Sequence, residues 1–277
     1  ESKFSGILMS VKFHRKALGT GKSSRHDPLF KWLFFRLLKM PTMESIGIVD
    51  ESLLYFFDEK EHYGRTKKLV YVPDPVEMEK NCSRDESRQQ FNIGQRQFVI
   101  LVYGSLTERK GVRELLSALL DLDTENICVL LAGRQSPGIQ TLLKDDQYIN
   151  MINSNRIIIS DGFHDKNREC AVFMASDAVW LGYVDGFGGS SGVLYQAAYM
   201  GLPVVGQKQG LIGWLLRRYK IGVRCDPLNR IDVVNAIMDV YAGAGSSLES
   251  KLARDDIAMR HSTSVFSRAV IKQLAGC

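Results

Sequence analysis

The chain has 277 residues, of which 36 are Lys or Arg and 31 are Asp or Glu, so its formal net charge is +5. A chain of this length buries roughly 75% of the surface that it exposes when unfolded, and it therefore needs no disulfide or metal to fold. With 45% hydrophobic and 24% charged residues, the composition excludes a disordered chain, a collagen-like repeat and a coiled coil. No apolar run approaches the length of about 18 residues that a membrane-spanning helix requires. The small positive excess permits anionic ligands and gives no reason to expect a nucleic acid.

The cysteines indicate a reducing environment. They are odd in number and widely scattered, and none forms a CxxC pair: Cys82, Cys128, Cys170, Cys225 and Cys277. Such usage is typical of free thiols, so we expect reduced cysteines and a cytoplasmic protein.

The first part of the chain predicts a small sheet with two helices. Asp27 and Pro28 predict a helix N-cap and first turn, and Asp50 predicts a second cap. The strands are expected at residues 4–11, 46–49 and 68–72, and the helices at residues 29–39 and 51–62. Because three strands and two helices form a thin sheet, we expect residues 1–75 to be the remnant of an N-terminal domain whose start is missing. Residues 76–97 are expected to be a linker with a short helix near residues 84–91.

From about residue 98 onward, fully apolar runs alternate with helical patterns. Apolar residues at every position indicate strands that are buried on both faces, and strand–helix alternation predicts a parallel, doubly wound α/β sheet. Val112, Leu115, Leu116, Leu119 and Leu120 form one stripe of an amphipathic helix between the first two strands. The strands are expected at residues 98–103, 127–132, 156–160, 178–183, 203–206 and 221–224.

A glycine-containing turn spans residues 104–111, directly after the first buried strand. Glycines such as Gly104 allow close approach of a ligand to the backbone, and Arg109 and Lys110 add positive charge. Ligands bind at the carboxyl ends of strands in open α/β sheets, so Gly104, Ser105, Arg109 and Lys110 are candidates to hold a diphosphate. The alternative, which stays open, is an ordinary strand–helix turn with solvated basic residues.

A second turn spans residues 185–192 and contains four glycines and two hydroxyl side chains. It precedes a predicted helix over residues 193–200, whose first amide groups can bind an anion. Ser190, Ser191 and Gly192 are therefore further diphosphate candidates. Two such turns are more informative than one, because both are expected to line the same crevice.

Two features outside these turns bear on ligands and partners. The five histidines show no metal-ligand spacing, so we expect no metal site and no cofactor. The basic segment 12–39 carries the aromatic residues Trp32, Phe34 and Phe35, and it predicts contact with a membrane surface or a polyanionic acceptor. Its alternative interpretation is a core-packing helix with a solvated basic flank.

Together these motifs resemble the retaining glycosyltransferases of the GT-B fold, specifically the large glycosyltransferase family 4 group. The resemblance spans nearly the whole chain from Ser45, and the segments that carry it are residues 45–62, 72–76, 104–111, 176–180, 201–205 and 261–266. It implies two Rossmann-like domains facing a cleft, with a donor-binding domain at residues 98–258. It also implies that residues 259–277 form a helix that returns to the N-terminal acceptor domain.

The sequence departs from the family pattern at three positions. The family turn usually reads Gly-Arg followed by Lys-Gly, and here the arginine position is Ser105 while the lysine position is Lys110. The family also usually has two glutamates eight residues apart, and those positions are Gly188 and Gln196 here. Asp185 resembles the first glutamate by its context but lies three residues too early. The resemblance implies that Asp185, Gly188 and Gln196 surround the donor sugar and ribose.

The activity implied by this resemblance is metal-independent transfer of a sugar, with retention, from a nucleoside-diphosphate sugar to an unidentified sugar, lipid or polysaccharide acceptor. The catalytic base stays unassigned, with His14 as the one candidate in the chain. Two alternatives stay open: a catalytically inactive nucleotide-binding relative that serves as a scaffold, and a sugar-nucleotide epimerase on the same fold.

Overall fold

A computed structural model describes residues 3–59, 68–122 and 124–274 of the chain. The strands β1 to β9 are Phe4–Leu8, Met43–Ile48, Leu69–Tyr71, Phe98–Tyr103, Ile127–Ala132, Ile157–Ser160, Ala178–Leu181, Val204–Gln207 and Gly222–Cys225. The helices α1 to α12 are Asp27–Lys39, Glu51–Glu59, Arg84–Gln90, Val112–Leu119, Pro137–Leu142, Asp146–Asn153, Lys166–Met174, Gly192–Met200, Gly210–Tyr219, Arg230–Tyr241, Leu248–Arg260 and Thr263–Leu274.

The larger sheet is entirely parallel, with the strand order β6-β5-β4-β7-β8-β9. Strands β5 and β6 lie on one side of β4, and β7, β8 and β9 lie on its other side. The direction of the strand order therefore reverses between β4 and β7, which is the topological switch point of the sheet. Crossover helices cover both faces, which is why these strands are apolar at nearly every position. The predicted doubly wound sheet is confirmed, and β4 and β5 have the predicted bounds.

Helix α4 shows how the apolar pattern produces the packing. Val112, Leu115, Leu116 and Leu119 are fully buried on one stripe that packs into the same core as Val233 of α10. Replacing one such leucine by alanine typically costs about 2–5 kcal/mol of stability, because the site cannot collapse completely around the cavity. The predicted amphipathic helix is therefore confirmed and anchors one face of the sheet.

The smaller sheet has the strand order β1-β2-β3 and is also parallel. An aromatic cluster fills the space between this sheet and its helices, and the rings of Phe34 and Phe57 stack with centroids 5.5 Å apart. The three predicted strands are confirmed, although β1 ends at Leu8. The predicted N-cap of α1 is wrong: the helix begins at Asp27 and its cap is His26, because the Asp27 carboxylate accepts the Ser24 N–H instead. The predicted end of α2 near residue 62 lies outside the described residues.

Helix α12 packs against the smaller sheet rather than the larger one. Gln273 donates from Nε2 to the Gly6 carbonyl, and Ser45 Oγ donates to the Gln273 carbonyl at 3.3 Å. The chain crosses between the sheets beside Val76, whose N–H donates to the His261 carbonyl at 2.9 Å. The linker contains the expected short helix, α3, and the domain boundaries near residues 75, 97 and 258 stay predictions.

Cys82 of the linker and Cys170 of α7 form a disulfide, with their Cα atoms 6.5 Å apart. The prediction that the cysteines are all reduced is therefore wrong for this pair. The two residues are 88 positions apart, and the packing of α3, which follows Cys82, on α7 brings them together. Cys128 and Cys225 are free and buried, and Cys277 lies outside the described residues. Because disulfides persist mainly in oxidising compartments, the cytoplasmic location stays a prediction.

The described residues contain no helix that is long and apolar enough to span a membrane.

Candidate functional site

A cavity of about 500 Å³ lies beyond the carboxyl ends of β4 and β7, at the switch point of the larger sheet. The loop after β4, the loop after β7, the start of α8 and the linker contribute its walls. Its lining includes most of the residues that the sequence singled out: Gly104, Ser105, Arg109, Lys110, Ser190, Ser191, Gly192 and Gln196. The two glycine turns therefore meet at one site.

The first loop is fastened to the end of β7. Trp180 Nε1 donates to the Lys110 carbonyl at 2.8 Å, and the Val184 N–H donates to the Arg109 carbonyl at 2.9 Å. Gly111 has φ +65°, and a Cβ at this position would collide with the Gly182 carbonyl oxygen. Only glycine allows the backbone at residue 111 to lie this close to Gly182. This contact fixes the position of the loop whose residues Arg109 and Lys110 line the cavity.

Lys110 supplies a partly desolvated ammonium group to the cavity. Its Nζ donates to the Tyr103 carbonyl, and burial, followed by the neighbouring Arg109, lowers the pKa of Lys110 to about 8. Neither Lys110 nor Arg109 forms an ion pair with a carboxylate of the described residues. Their positive charge is therefore available to an anionic ligand, and such a ligand would raise the Lys110 pKa again.

Arg109 lies over an aromatic pair on the second loop. Its guanidinium carbon is 5.1 Å from the ring centroid of Phe187 and 5.8 Å from that of Tyr183, and the two rings are themselves 4.3 Å apart. Cation–π attraction at this distance holds the exposed guanidinium at the mouth of the cavity.

The second loop presents the start of α8 to the cavity. Ser191 occupies the N-cap position without a side-chain hydrogen bond to the helix, and its Oγ lies 3.1 Å from the Tyr183 hydroxyl instead. A Cβ at Gly192 would meet no atom of the described residues within 4 Å. The space beside Gly192 at the start of α8 is therefore open, and an anion there would be favoured by the helix N-terminus. Ser190 Oγ donates to Asp74 Oδ2 at 2.7 Å and so ties this loop to the segment that follows β3.

Asp185 and Gly188 do not line the cavity. Asp185 is exposed and has φ +61°. Gly188 is buried under the guanidinium of Arg15, which lies in the segment between β1 and α1 and pairs with Asp50 at 3.4 Å. Where the family usually has a glutamate, this chain therefore has a glycine covered by an arginine. No local sequence pattern could have predicted this contact, because the two residues are far apart in the chain.

Gln196 lines the cavity and is held by a residue that the sequence did not single out. Its Nε2 donates to Glu169 Oε1 at 2.7 Å, and the same oxygen accepts the Tyr103 hydroxyl at 2.8 Å. Glu169 belongs to α7, and nothing in its sequence neighbourhood marked it as part of the site.

His14 lies outside the cavity lining. Its ring is fully buried, Nε2 lies 2.8 Å from Ser52 Oγ and 3.6 Å from Asp50 Oδ2, and burial lowers its pKa to about 4. The imidazole is therefore neutral at pH 7 and has no path to a ligand in this cavity. Among the described residues, no group of three or more His, Cys, Asp or Glu side chains is arranged to hold a metal ion.

A family model described as glycosyl transferases, group 1, matches residues 83–254 of this chain. No curated protein sequence matches it significantly.

Three solved structures show how similar the fold is to that of known proteins. The sucrose-phosphate synthase of Thermosynechococcus elongatus aligns with a TM-score of 0.66 and 16% identity, over 98% of this chain and 66% of that one. The Anabaena protein Alr3699/HepE, solved with UDP and glucose, gives 0.66 and 16%, over 99% and 72%. A glycosyltransferase of Rickettsia africae gives 0.68 and 15%, over 98% and 69%. The fold is therefore the GT-B type, and this chain spans about two thirds of the length of these structures.

Proposed function

Because this chain belongs to the group 1 glycosyltransferase family, we propose that it transfers a sugar from a nucleoside-diphosphate sugar to an acceptor. The observation that carries the proposal is the meeting of Lys110, Arg109 and the open start of α8 at one cavity of about 500 Å³. A diphosphate has the charge and the hydrogen-bond acceptors that these groups require.

Departure of the nucleoside diphosphate is the step that these residues would assist. As the bond between the sugar and the phosphate breaks, negative charge grows on the leaving phosphate. The Lys110 ammonium and the first amides of α8 would stabilise this charge without reorganising, which is the usual source of electrostatic catalysis. We assign Gly104, Ser105, Ser190, Ser191 and Gly192 to the walls that hold the diphosphate beside these charges.

We further propose that the donor sugar is a hexose, that its transfer retains the configuration at the anomeric carbon, and that no metal ion is needed. The cationic side chains supply the charge neutralisation for which other transferases use a divalent ion. A binding titration in the presence of EDTA tests this part directly: unchanged affinity supports it, and loss of binding contradicts it.

UDP is the first nucleotide to test as a ligand. The Anabaena HepE structures of similar fold were solved with UDP and with UDP-glucose. Calorimetry of this chain with UDP, GDP and ADP tests binding, and release of the nucleoside diphosphate from a donor in the presence of candidate acceptors tests transfer. The matched control is Lys144→Ala, which removes an exposed lysine that does not line the cavity. Absence of binding by all three nucleotides contradicts the proposal.

An acceptor at a membrane surface is supported by the exposed face of α1. Leu29, Phe30, Trp32 and Leu33 are between 46% and 59% exposed, whereas Phe34 and Leu38 on the other face are buried. Apolar side chains beside basic ones suit peripheral binding to anionic lipid headgroups, as expected for a cytoplasmic chain that contacts the membrane. Sedimentation with phosphatidylserine vesicles tests this, with Phe30→Ser/Trp32→Ser expected to lose binding and Leu248→Ser, an exposed leucine on α11, to keep it.

A nucleotide-binding module without transfer activity is the second candidate. Two observations favour it: the position usually held by arginine in the first turn is Ser105, and Arg15 covers the position usually held by glutamate, Gly188. Nucleotide binding without donor turnover, in the presence of acceptors, would select this candidate over the transferase.

A further inference from the structure

Gln196 is fixed at the cavity wall by one carboxylate. The side chain projects from α8, and its Nε2 donates to Glu169 Oε1 at 2.7 Å. At this position the resembling glycosyltransferases usually carry a glutamate, which is an acceptor only. A glutamine side chain carries both a donor and an acceptor, so its orientation decides which of the two a ligand would meet.

Glu169 is itself held in place from two sides. The Tyr103 hydroxyl at the end of β4 donates to its Oε1 at 2.8 Å, and the Tyr103 ring packs 5.0 Å from that of Phe173. The next residue, Cys170, is fixed to the linker by the disulfide with Cys82. These contacts therefore hold the Glu169 carboxylate in one position relative to Gln196.

This anchoring selects one of the two amide orientations. An ionised carboxylate only accepts hydrogen bonds, so the glutamine must turn its NH₂ group toward Glu169. The flipped amide would place its carbonyl oxygen against a carboxylate oxygen, and two acceptors at hydrogen-bond distance repel each other. The carbonyl oxygen of Gln196 is then the atom left for a ligand.

We propose that Glu169 is a positioning residue that holds the Gln196 carbonyl oxygen as an acceptor for a ribose hydroxyl of the bound nucleoside diphosphate; this rests on the proposed function. The pair would present to the ligand the same kind of group, an acceptor oxygen, that a glutamate presents in similar chains. It does so with an amide oriented by a carboxylate on a different helix.

Gln196→Glu is the first substitution that tests the role of Glu169. That substitution restores the residue type usual in the family, but it would set two carboxylates at hydrogen-bond distance from each other. Like charges this close disfavour the ionised pair, so the substitution should weaken ribose recognition. Glu169→Gln should also weaken it, because a second amide no longer dictates one orientation of Gln196. The swapped pair Glu169→Gln/Gln196→Glu should recover binding, since the carboxylate then faces the ligand and the amide supports it.

The test is calorimetry of the full chain and these three variants with UDP and with 2′,3′-dideoxy-UDP, in parallel with thermal unfolding to verify that each variant folds. For UDP we expect each single variant to lose about tenfold in affinity, the upper end for a hydrogen bond between uncharged groups, and the swap to recover to within about threefold. For dideoxy-UDP we expect the four proteins to bind with the same affinity. If Glu169 only stabilised the fold, the single variants would lose affinity for dideoxy-UDP as well.

The outcomes separate this inference from the proposed function. If the unaltered chain binds UDP but the swap does not recover affinity, or if dideoxy-UDP shows the same losses, the role of Glu169 is overturned and the proposed function stands. If the unaltered chain binds neither UDP, GDP nor ADP, the proposed function fails and this inference falls with it. Tyr103→Phe, which removes the second bond to Glu169, gives an independent check: its affinity for UDP should fall, and an unchanged affinity counts against the proposal.

Discussion

The guanidinium of Arg15 lies directly against Gly188, so a side chain at residue 188 has no room while Arg15 stays in place. Arg15 is buried, and its ion pair with Asp50, at 3.4 Å, holds it in the first part of the chain. A residue near the smaller sheet thereby determines which residue the second loop tolerates.

Gly188→Ala should destabilise the chain by about 1–3 kcal/mol, the usual cost of overpacking a well-filled site. In the Arg15→Ala background the additional cost should vanish, since the obstructing side chain is gone. Urea unfolding of the four proteins measures this coupling. Gly192→Ala is the matched control, because a Cβ there meets no atom of the described residues, and it should change stability by less than about 0.5 kcal/mol. Equal costs of Gly188→Ala in both backgrounds would show that Arg15 does not occupy this space.

The positions of the two turns could be predicted, but their partners could not. Fully apolar runs placed β4 and β5 to the residue, and the carboxyl ends of parallel strands had to lie at one edge of the sheet. Three contacts at the site could not be predicted in this way. They are the contact between Arg15 and Gly188, the bond from Ser190 to Asp74 and the bond from Gln196 to Glu169. Each joins residues at least 27 positions apart, and local periodicity carries no information about such pairs.

Lys110→Ala should weaken the binding of a nucleoside diphosphate by about 1.5–3 kcal/mol, because it removes a charged hydrogen-bond donor from the cavity. Calorimetry with UDP measures the loss, and Lys144→Ala should bind as the unaltered chain does. An affinity of Lys110→Ala equal to that of the control would remove Lys110 from the diphosphate site.

The affinity for UDP should also fall as the pH rises through about 8. Burial lowers the pKa of Lys110 to about 8, so the ammonium is charged below this pH and loses its charge above it. Attraction for the diphosphate is therefore present at pH 7 and lost toward pH 9.5. Lys110→Arg should bind with a smaller loss over the same range, since arginine stays protonated. Parallel pH profiles for the two proteins would contradict the assignment.

Gly192→Val should abolish binding of UDP while the chain still folds. Its side chain would enter the open space before the first amides of α8, where no described atom resists it, and it would block a phosphate. We expect the free energy of unfolding to change by less than about 1 kcal/mol. Ser191→Ala is the companion variant and should bind UDP nearly normally, because the helix start acts through its backbone. Normal binding by Gly192→Val would mean that the phosphate lies elsewhere.

Reduction of the disulfide between Cys82 and Cys170 should lower the free energy of unfolding by about 2–4 kcal/mol, because the bridge constrains the unfolded chain across 88 positions. Thermal unfolding with and without dithiothreitol measures this. The variant Cys82→Ala/Cys170→Ala should be less stable and should no longer respond to the reductant. A response that persists in this variant would have to come from other cysteines.

Acid should destabilise the chain through its buried histidines. Burial lowers the pKa of His14 to about 4, below the value of about 6.5 expected when the chain is unfolded. Between these values the unfolded state binds more protons than the folded state, so the stabilisation is complete above pH 6.5 and is lost as the pH falls toward 4. The physical reason lies at Nδ1 of His14, which is buried without a hydrogen-bond partner among the described residues. The protonated imidazole would therefore carry an N–H group with no acceptor. Each such histidine should cost about 2 kcal/mol at pH 5 relative to pH 7.

His261 should behave in the same way, because burial also lowers its pKa to about 4 and its ring stacks on that of Tyr195 with centroids 3.7 Å apart. Urea unfolding at pH 7 and pH 5 of the unaltered chain, His14→Gln and His261→Gln gives the contribution of each. We expect each variant to lose less stability on acidification than the unaltered chain does, even where its stability at pH 7 is lower. If the unaltered chain and both variants lose the same stability between the two pH values, the buried imidazoles are not what makes the fold sensitive to acid.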